Sequence, residues 1–431
     1  MTSLSILILC ILLLILAVTV FKVHPIPALL ICGLILGLST GSPVEAVTES
    51  LLNGFGNTLK WIGLVVFFGA VLGEILAVTG GADTIADGII KLFGPKQLPL
   101  SMVLIGFLIG IPVFVDVAYL TLLPTITGLS KRSGHSVLLL GLALASGLTV
   151  AHALIPPTPG PLAMAAILEV DIGSMIPVNG LVGLVALAGG LLWLSLNKKR
   201  LKISVATVDE SGPLQKKSLK TYQKVLPFLS LLTPLFLMAL GTLVPKGNAL
   251  IQIISNPVWA LMIGVGISLP LLEVAQLKKE LNNYMNNAGS KSAVVILITG
   301  VGGAFGQVIK DSGIVTSLVS DTADLSAIGI LLPFLLSFLF TTVTGSITVS
   351  LVTTASIAAP LVSGGMLDPT LTAAAIGAGS LGIIHVNSSF FWLFKEVHDL
   401  SVLKLLRTFS LLTAVVALSG GLMVLLLSLF K

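Results

Sequence analysis

Apolar residues in this chain come in solid blocks roughly 20 residues long, the length a helix needs to cross the hydrocarbon core of a bilayer. Residues 4–21, 172–197, 225–245, 247–272 and 408–430 contain no Asp, Glu, Lys or Arg. On the order of ten to fourteen hydrophobic elements fit the pattern. A transmembrane barrel is excluded, because its strands alternate apolar and polar positions over about ten residues. In chain order, 4–21 and 26–38 read as scaffold spans. Residues 44–59 are more polar and are expected at the interface, ahead of a span over 61–78 that Gly80 and Gly81 terminate. Residues 82–93 place acids early and Lys91 late, which suits a short surface helix and its dipole. Residues 173–196 close a first half, a polar linker follows, and a second half repeats the plan with two spans over 225–272 and another over 292–309.

Two of the apolar blocks are broken in the middle. Val150-Ala151-His152-Ala153-Leu154-Ile155-Pro156-Pro157-Thr158-Pro159-Gly160-Pro161 lies within an uncharged stretch, 133–168. Its prolines remove amide donors and clash with the preceding turn. Irregular backbone at membrane depth is tolerated only where protein buries it or where it lines a watery cavity. Thr158 as N-cap and Pro159 at the first helical position would restart a half-helix over 161–168. That start would aim free amides and a positive dipole end at the break, a ready anion site. A second interruption, Leu381-Gly382-Ile383-Ile384-His385-Val386-Asn387-Ser388-Ser389, leads to a half-helix over 389–396 with Asn387 or Ser388 as its cap. His385 follows His152 by 233 residues (385 minus 152), and the same offset carries Gly69 to Gly302, Gly73 to Gly306 and Gly80 to Gly313. One offset at four Gly or His pairs predicts an internal duplication. Paired interruptions in two halves point to a transporter's binding site.

Residues 98–130 are interrupted at Pro112-Val113-Phe114-Val115-Asp116. What remains, 117–130, is short for a span and predicts a re-entrant or broken element. An ionised carboxylate at such depth costs on the order of 3 kcal/mol, so Asp116 is expected to be functional. Under the 233 offset it maps to position 349, inside Thr344-Gly345-Ser346-Ile347-Thr348-Val349-Ser350, the hydroxyl-rich tip of a matching broken element over 330–360. Thr344, Gly345, Ser346 and Thr348 are expected to meet substrate, or else to satisfy helix backbone groups as Ser and Thr often do. His152, Pro157 and Thr158 at one break, and His385, Asn387 and Ser388 at the other, complete the predicted site. Asp116, His152, His385 and Glu74 are the candidates for handling protons. Glu74 has Gln307 as its repeat partner, so a structural role for it stays open. His24, His135 and His398 lie near predicted span ends and are expected at the interface, and Lys395 and Glu396 are expected to pair with each other.

Composition narrows the class further. Hydrophobic residues make up 55% and charged residues 10% of the chain, against roughly 25% charged in a soluble domain. The net charge of +5 reads as topology. Lys198, Lys199, Arg200, Lys202, Lys216, Lys217, Lys220 and Lys224 crowd the linker, and positive loops stay in the cytoplasm. Lys278, Lys279 and Lys291 mark a second inside loop. The predicted architecture is an all-α polytopic membrane protein with membrane halves 1–196 and 225–431 around a cytoplasmic loop 197–224. Cys10 and Cys32 lie in apolar runs and read as packing residues rather than a disulfide. The N-terminus lacks a basic leader and a small-residue cleavage site, so 4–21 reads as a first span. No metal-binding or phosphate-loop pattern is present, and no cofactor, metal or nucleic acid is expected. The glycines of Gly300-Val301-Gly302-Gly303-Ala304-Phe305-Gly306 lack a preceding strand and suit close helix packing instead of a dinucleotide. Without a nucleotide-hydrolysing domain, transport would be driven by an ion gradient.

At Gly54-Phe55-Gly56-Asn57-Thr58, Gly69-Ala70-Val71-Leu72-Gly73, Pro112-Val113-Phe114-Val115-Asp116-Val117, 152–161, Gly302-Gly303-Ala304-Phe305-Gly306 and His385-Val386-Asn387 the chain resembles the gluconate permease family. These are bacterial proton symporters for gluconate and related hydroxy acids. The motifs spread from about residue 50 to 397, nearly the whole chain. The resemblance implies the ion-transporter architecture of two inverted repeats, with re-entrant hairpins at 98–130 and 330–360 and discontinuous helices at the two His-containing breaks. It also implies the bacterial cytoplasmic (inner) membrane, a homodimer, and a small anionic organic acid and protons as partners. The family often has His at Thr158, an acid at Ser388, Gly at Phe390 and Glu at Asp116. These departures suggest a smaller or less hydroxylated carboxylate. A Na+-coupled carrier, a cation antiporter or a D-amino-acid permease would share the architecture. An intramembrane enzyme using Asp116 and His152 is disfavoured by the duplication, and a passive channel by the lack of a charged or carbonyl-rich ring.

Overall fold

A computed structural model describes residues 3–19, 21, 23–94, 97–201, 219, 221–243, 249–272, 274–313, 329–386 and 388–430, and among them no strand is formed. Helices α1 (Ser3–Thr19) and α2 (Pro25–Ser39) match the predicted scaffold spans. The segment expected at the interface is instead the first half of α3 (Val44–Thr79), a 36-residue helix bent by 42° between 44–60 and 63–79. Its polar and small residues serve packing rather than the interface: Thr58 is buried, and Gly54 lies against a later helix. The amphipathic α4 (Gly81–Phe93) turns Ala82, Ile85, Ala86 and Ile89 into the core. Then come α5 (Leu98–Gly110), α6 (Val115–Ser133), α7 (Val137–Leu154), α8 (Pro159–Ile167) and α9 (Ile172–Leu196). Most of the basic linker, 202–218, lies outside the described residues.

The second half opens with α10 (Leu226–Leu243). The single span expected over 247–272 is two helices, α11 (Ala249–Ser255) and α12 (Pro257–Ser268), meeting at 70°. Asn256 causes the corner, accepting the Val258 amide at 3.0 Å as N-cap with Pro257 next. Lys278, Lys279 and Lys291 fall on the 38-residue α13 (Val274–Asp311) and not on a loop. The polar stretch stays helical because it has a core-facing stripe, with Ala288 and Ser292 fully buried four residues apart. After it come α14 (Leu331–Thr344), α15 (Ile347–Ser363), α16 (Pro369–Gly379) and α17 (Ser389–His398). The last span is α18 (Val402–Leu405), a π turn, and α19 (Leu411–Ser428). Among the described residues four helices are long and apolar enough to cross a membrane, or six if each bent pair is one span.

Advanced by 233, the starts of α3, α5, α6 and α7 fall within three residues of the starts of α13, α14, α15 and α16. The duplicated helices α3 and α13 pack on each other. Early in α3, a Cβ on Gly54 would reach the Gly303 carbonyl and Gln307 late in α13 at 2.6 Å. Late in α3, the Glu74 carboxylate accepts from Asn287 early in α13 at 3.4 Å. The two helices therefore run antiparallel. Equivalent helices that run antiparallel are related by an axis across both, which makes the repeats inverted. Helices α1, α2 and α13 share a core containing Phe305 and the free, buried Cys10 and Cys32. The largest core joins α4–α7 and α9 of the first half to α16, α17 and α19 of the second.

Candidate functional site

In the first half α5 and α6 are joined by the turn Ile111–Phe114, and α7 and α8 by the proline-rich break at 155–158. Both turns press on α3. A Cβ on Gly69 would stand 3.1 Å from the Pro157 carbonyl oxygen, and one on Gly73 would collide with the Pro112 carbonyl oxygen. Glycines four apart on one helix face thus admit two irregular backbones at once. Between them lies a small, partly open cavity of about 10 Å³, room for a water molecule, lined by Gly69, Ala70, residues 111–114, His152 and residues 157–159. His152, in the last turn of α7, opens into it and makes no hydrogen bond to a described residue. Asp116, the second residue of α6, stands just beyond this lining, half-buried and likewise without a hydrogen-bond partner among the described residues.

The break satisfies its own backbone. The Asn179 amide on α9 donates to the Leu154 carbonyl at 2.9 Å, and the Thr158 amide donates to Ile155 at 3.2 Å. Thr158 stands at the N-cap of α8 with Pro159 following, as predicted. Its hydroxyl, however, donates to the Ile155 carbonyl at 2.5 Å instead of capping. The expected array of free amides is reduced to one. Pro159 and Pro161 have no N–H, and the Leu162 amide is bonded to Thr158, leaving Gly160.

The second half differs in the chemistry of its break. Residues 380–386 and 388 are non-helical, and neighbouring hydroxyls meet their backbone groups. Thr341 donates to the Ser380 carbonyl at 2.8 Å. The hydroxyls of Thr342 and Thr413 each accept, at 3.1 Å, from the amides of Ile383 and Ile384, and Ser410 donates to the Ile384 carbonyl at 2.6 Å. His385 Nε2 donates to the Thr342 carbonyl at 2.6 Å, which places the ring two residues from the tip of the α14–α15 hairpin. Asn387 lies outside the described residues. Ser388 occupies the N-cap position of α17, but its side chain does not cap. At the hairpin tip Gly345 takes the left-handed conformation, φ 72°, which an L side chain adopts at a cost. The Thr344 hydroxyl donates to Phe340 and the Ser346 hydroxyl accepts from Val349. Thr348 keeps its hydroxyl free, and α15 begins with the unpaired amides of Ile347 and Thr348 among the described residues.

Each hairpin meets the break of the opposite repeat. A Cβ on Gly160 of α8 would touch Leu351 of α15, 3.8 Å from the Thr348 hydroxyl oxygen. In the mirrored position, Tyr119 of α6 packs against Phe390 and Phe394 of α17 with ring centroids 5.5 and 5.2 Å away, and its hydroxyl is hydrogen-bonded to His398 Nε2 at 2.6 Å. His398 is fully buried, contrary to the expected interfacial position. Charged neighbours Lys395 and Glu396, which do pair at 2.9 Å, disguised a buried stripe at 390, 394 and 398. Glu74 points at α13 and not into the cavity. Sequence reasoning also missed Asn179, although it is the one side-chain amide in an uncharged block apart from the terminal Asn197.

The sequence profile described as GntP family permease matches residues 2–430. The chain belongs to the GntP permease family. This permease is 33% identical to a gluconate permease of Pseudomonas aeruginosa over 432 residues, 96% of this chain and 95% of that protein. It is 31% identical to a high-affinity gluconate transporter of Escherichia coli, covering 95% of each chain. A D-serine transporter of Escherichia coli is also 31% identical, with 96% of each chain covered. The fold of the permease is similar to that of the YdaH transporter of Alcanivorax borkumensis, with a TM-score of 0.67, 14% identity, and 90% and 89% of the two chains covered. The permease is thus a multi-pass membrane transport protein, not an enzyme.

Proposed function

We propose that the permease imports a small hydroxy or sugar acid of the gluconate class, coupled to protons, across the bacterial cytoplasmic (inner) membrane. The observation that supports this reading is the small, partly open cavity framed by a hairpin turn, a proline-broken helix and two α3 positions, with the His152 imidazole as its one ionisable wall group. The relatives' names supply the substrate class. Asp116 and His152 handle the proton, with His385 as the second-repeat counterpart. The carboxylate is held at the start of α15, where the Ile347 and Thr348 amides, the Thr348 hydroxyl and the helix dipole converge. Pro157, Thr158, Thr344, Gly345, Ser346 and Ser388 shape the remainder of the path, as does Asn387 from outside the described residues. The repeats 1–196 and 225–431 work as two halves joined by a cytoplasmic linker, 197–224, within a homodimer.

The test is uptake of labelled gluconate into proteoliposomes with and without an inward proton gradient. Accumulation only with the gradient, and its loss in Asp116→Asn, is the expected result. Accumulation driven by sodium alone would replace the proton, and sodium/proton exchange without uptake would make the protein an antiporter. A second reading, carriage of a D-amino acid, is favoured by Thr158 and Ser388 and by the D-serine relative. D-serine uptake unaffected by excess gluconate would select it.

A further inference from the structure

Under the 233 offset, Tyr119 corresponds to Val352 and His398 to Ala165, both buried. An aliphatic pair thus suffices at one hairpin-to-break contact, whereas the other carries a buried polar pair in an aromatic surround. Phe390, Phe394 and Phe409 enclose it, with Phe394 and Phe409 stacked at 5.4 Å. His398 Nδ1 is buried without a hydrogen-bond partner among the described residues. The third wall is Gly141 of α7, where a Cβ would collide with the Tyr119 hydroxyl and stand 2.9 Å from His398 Nε2. Three helices therefore meet at one hydrogen bond: α6, whose first turn holds Asp116; α17, which begins beside Ser388; and α7, which reaches His152 eleven residues, or about three turns, after Gly141 on the same face.

We infer that the Tyr119–His398 pair, seated on Gly141, is a positioning joint that holds Asp116, His152 and the start of α17 in a single register during turnover. A buried polar pair is a costly way to add stability but an effective way to select one arrangement among several packings. The joint rests on the transport reading above only in that those three positions belong to the site. Tyr119 and His398 touch no part of the cavity, so they act through the residues they orient.

Tyr119→Phe, His398→Phe and Gly141→Ala are each expected to lower the maximal transport rate roughly tenfold, the scale of one lost hydrogen bond, with KM within about twofold. The double variant Tyr119→Phe/His398→Phe should be no slower than either single one, and His398→Gln, which keeps a hydrogen-bonding partner for Tyr119, should recover most of the rate. The pH midpoint of transport should not move, since the pair positions and does not titrate in the cycle. A shifted midpoint, or an unchanged rate per folded protein despite a lowered Tm, overturns the inference. Hydrogen exchange supplies a readout without substrate: the first-turn amides of α17 should exchange faster in Tyr119→Phe. If the wild-type protein moves no organic acid and that acceleration is still seen, the transport reading fails and the joint stands. If transport is intact in both proteins and exchange is unchanged, the joint fails alone.

Discussion

At Gly160 the restart of α8 offers one backbone donor, because both its neighbours are prolines. The start of α15, in contact with it, offers two amides and the Thr348 hydroxyl without partners among the described residues. A carboxylate needs several donors to offset its desolvation, so the second-repeat hairpin is the better seat and Thr348 its most testable member. Thr348→Val keeps the side-chain shape and removes the hydroxyl. A hydrogen bond to a charged group contributes about 1.5–3 kcal/mol, so KM for the transported acid should rise at least about tenfold, with the maximal rate little changed. An unaltered KM would remove Thr348 from the substrate's contacts. The weak donor set at α8 was legible in the sequence, since proline's missing N–H needs no coordinates. The free hydroxyl was not, because the Thr344, Ser346, Ser350 and Thr348 side chains look alike until their partners are seen. The Ser350 hydroxyl is taken up by the Ser337 carbonyl at 2.6 Å.

Among elements, α3 joins the scaffold to the site. One face carries Gly69 and Gly73 against the two irregular turns, and another carries Gly54 and Thr58 against α13. Adding a methyl group at Gly73 drives it into the Pro112 carbonyl, which belongs to a packed turn and cannot swing away as a side-chain tip can. Gly73→Ala should therefore destabilise the protein by about 2 kcal/mol. Gly63→Ala on the same helix meets nothing within 4 Å and should be neutral or stabilising by up to about 1 kcal/mol from helix propensity. Thermal unfolding of the two variants in detergent compares them directly, and equal Tm values would refute the close approach. Both breaks and both hairpin turns were readable because Pro and Gly clusters have no helical alternative. The continuity of α3 and α13 was hidden, since polar residues used for helix–helix contact have the same composition as an interfacial segment or a loop. The stripe Phe390, Phe394 and His398 follows helical spacing, so the burial of His398 could have been read from periodicity despite its charged neighbours.

For the whole molecule, inversion repeats each α3–α13 contact with the partners exchanged. Glu74 meets Asn287, and the equivalent pair is Gln307 with Gly54, each residue shifted by 233. One copy places a carboxylate against an amide; the other places an amide against backbone, where the Gln307 side chain donates instead to Asp311 at 2.9 Å. The contact is thus built without the carboxylate in one of its two occurrences, and Glu74 is not among the residues that line the cavity, which α3 meets at Gly69 and Ala70. A group that carries the coupling proton has to exchange it with both sides of the membrane in turn, and a carboxylate fixed between two scaffold helices is poorly placed for that. Glu74→Gln, which makes the first-repeat residue identical to its second-repeat counterpart, should therefore retain proton-driven accumulation to within about twofold. The loss expected of Asp116→Asn gives the contrast. The opposite result, accumulation abolished by Glu74→Gln while exchange of internal for external substrate continues, would assign the coupling proton to Glu74 and move it out of the cavity into the interface between the repeats.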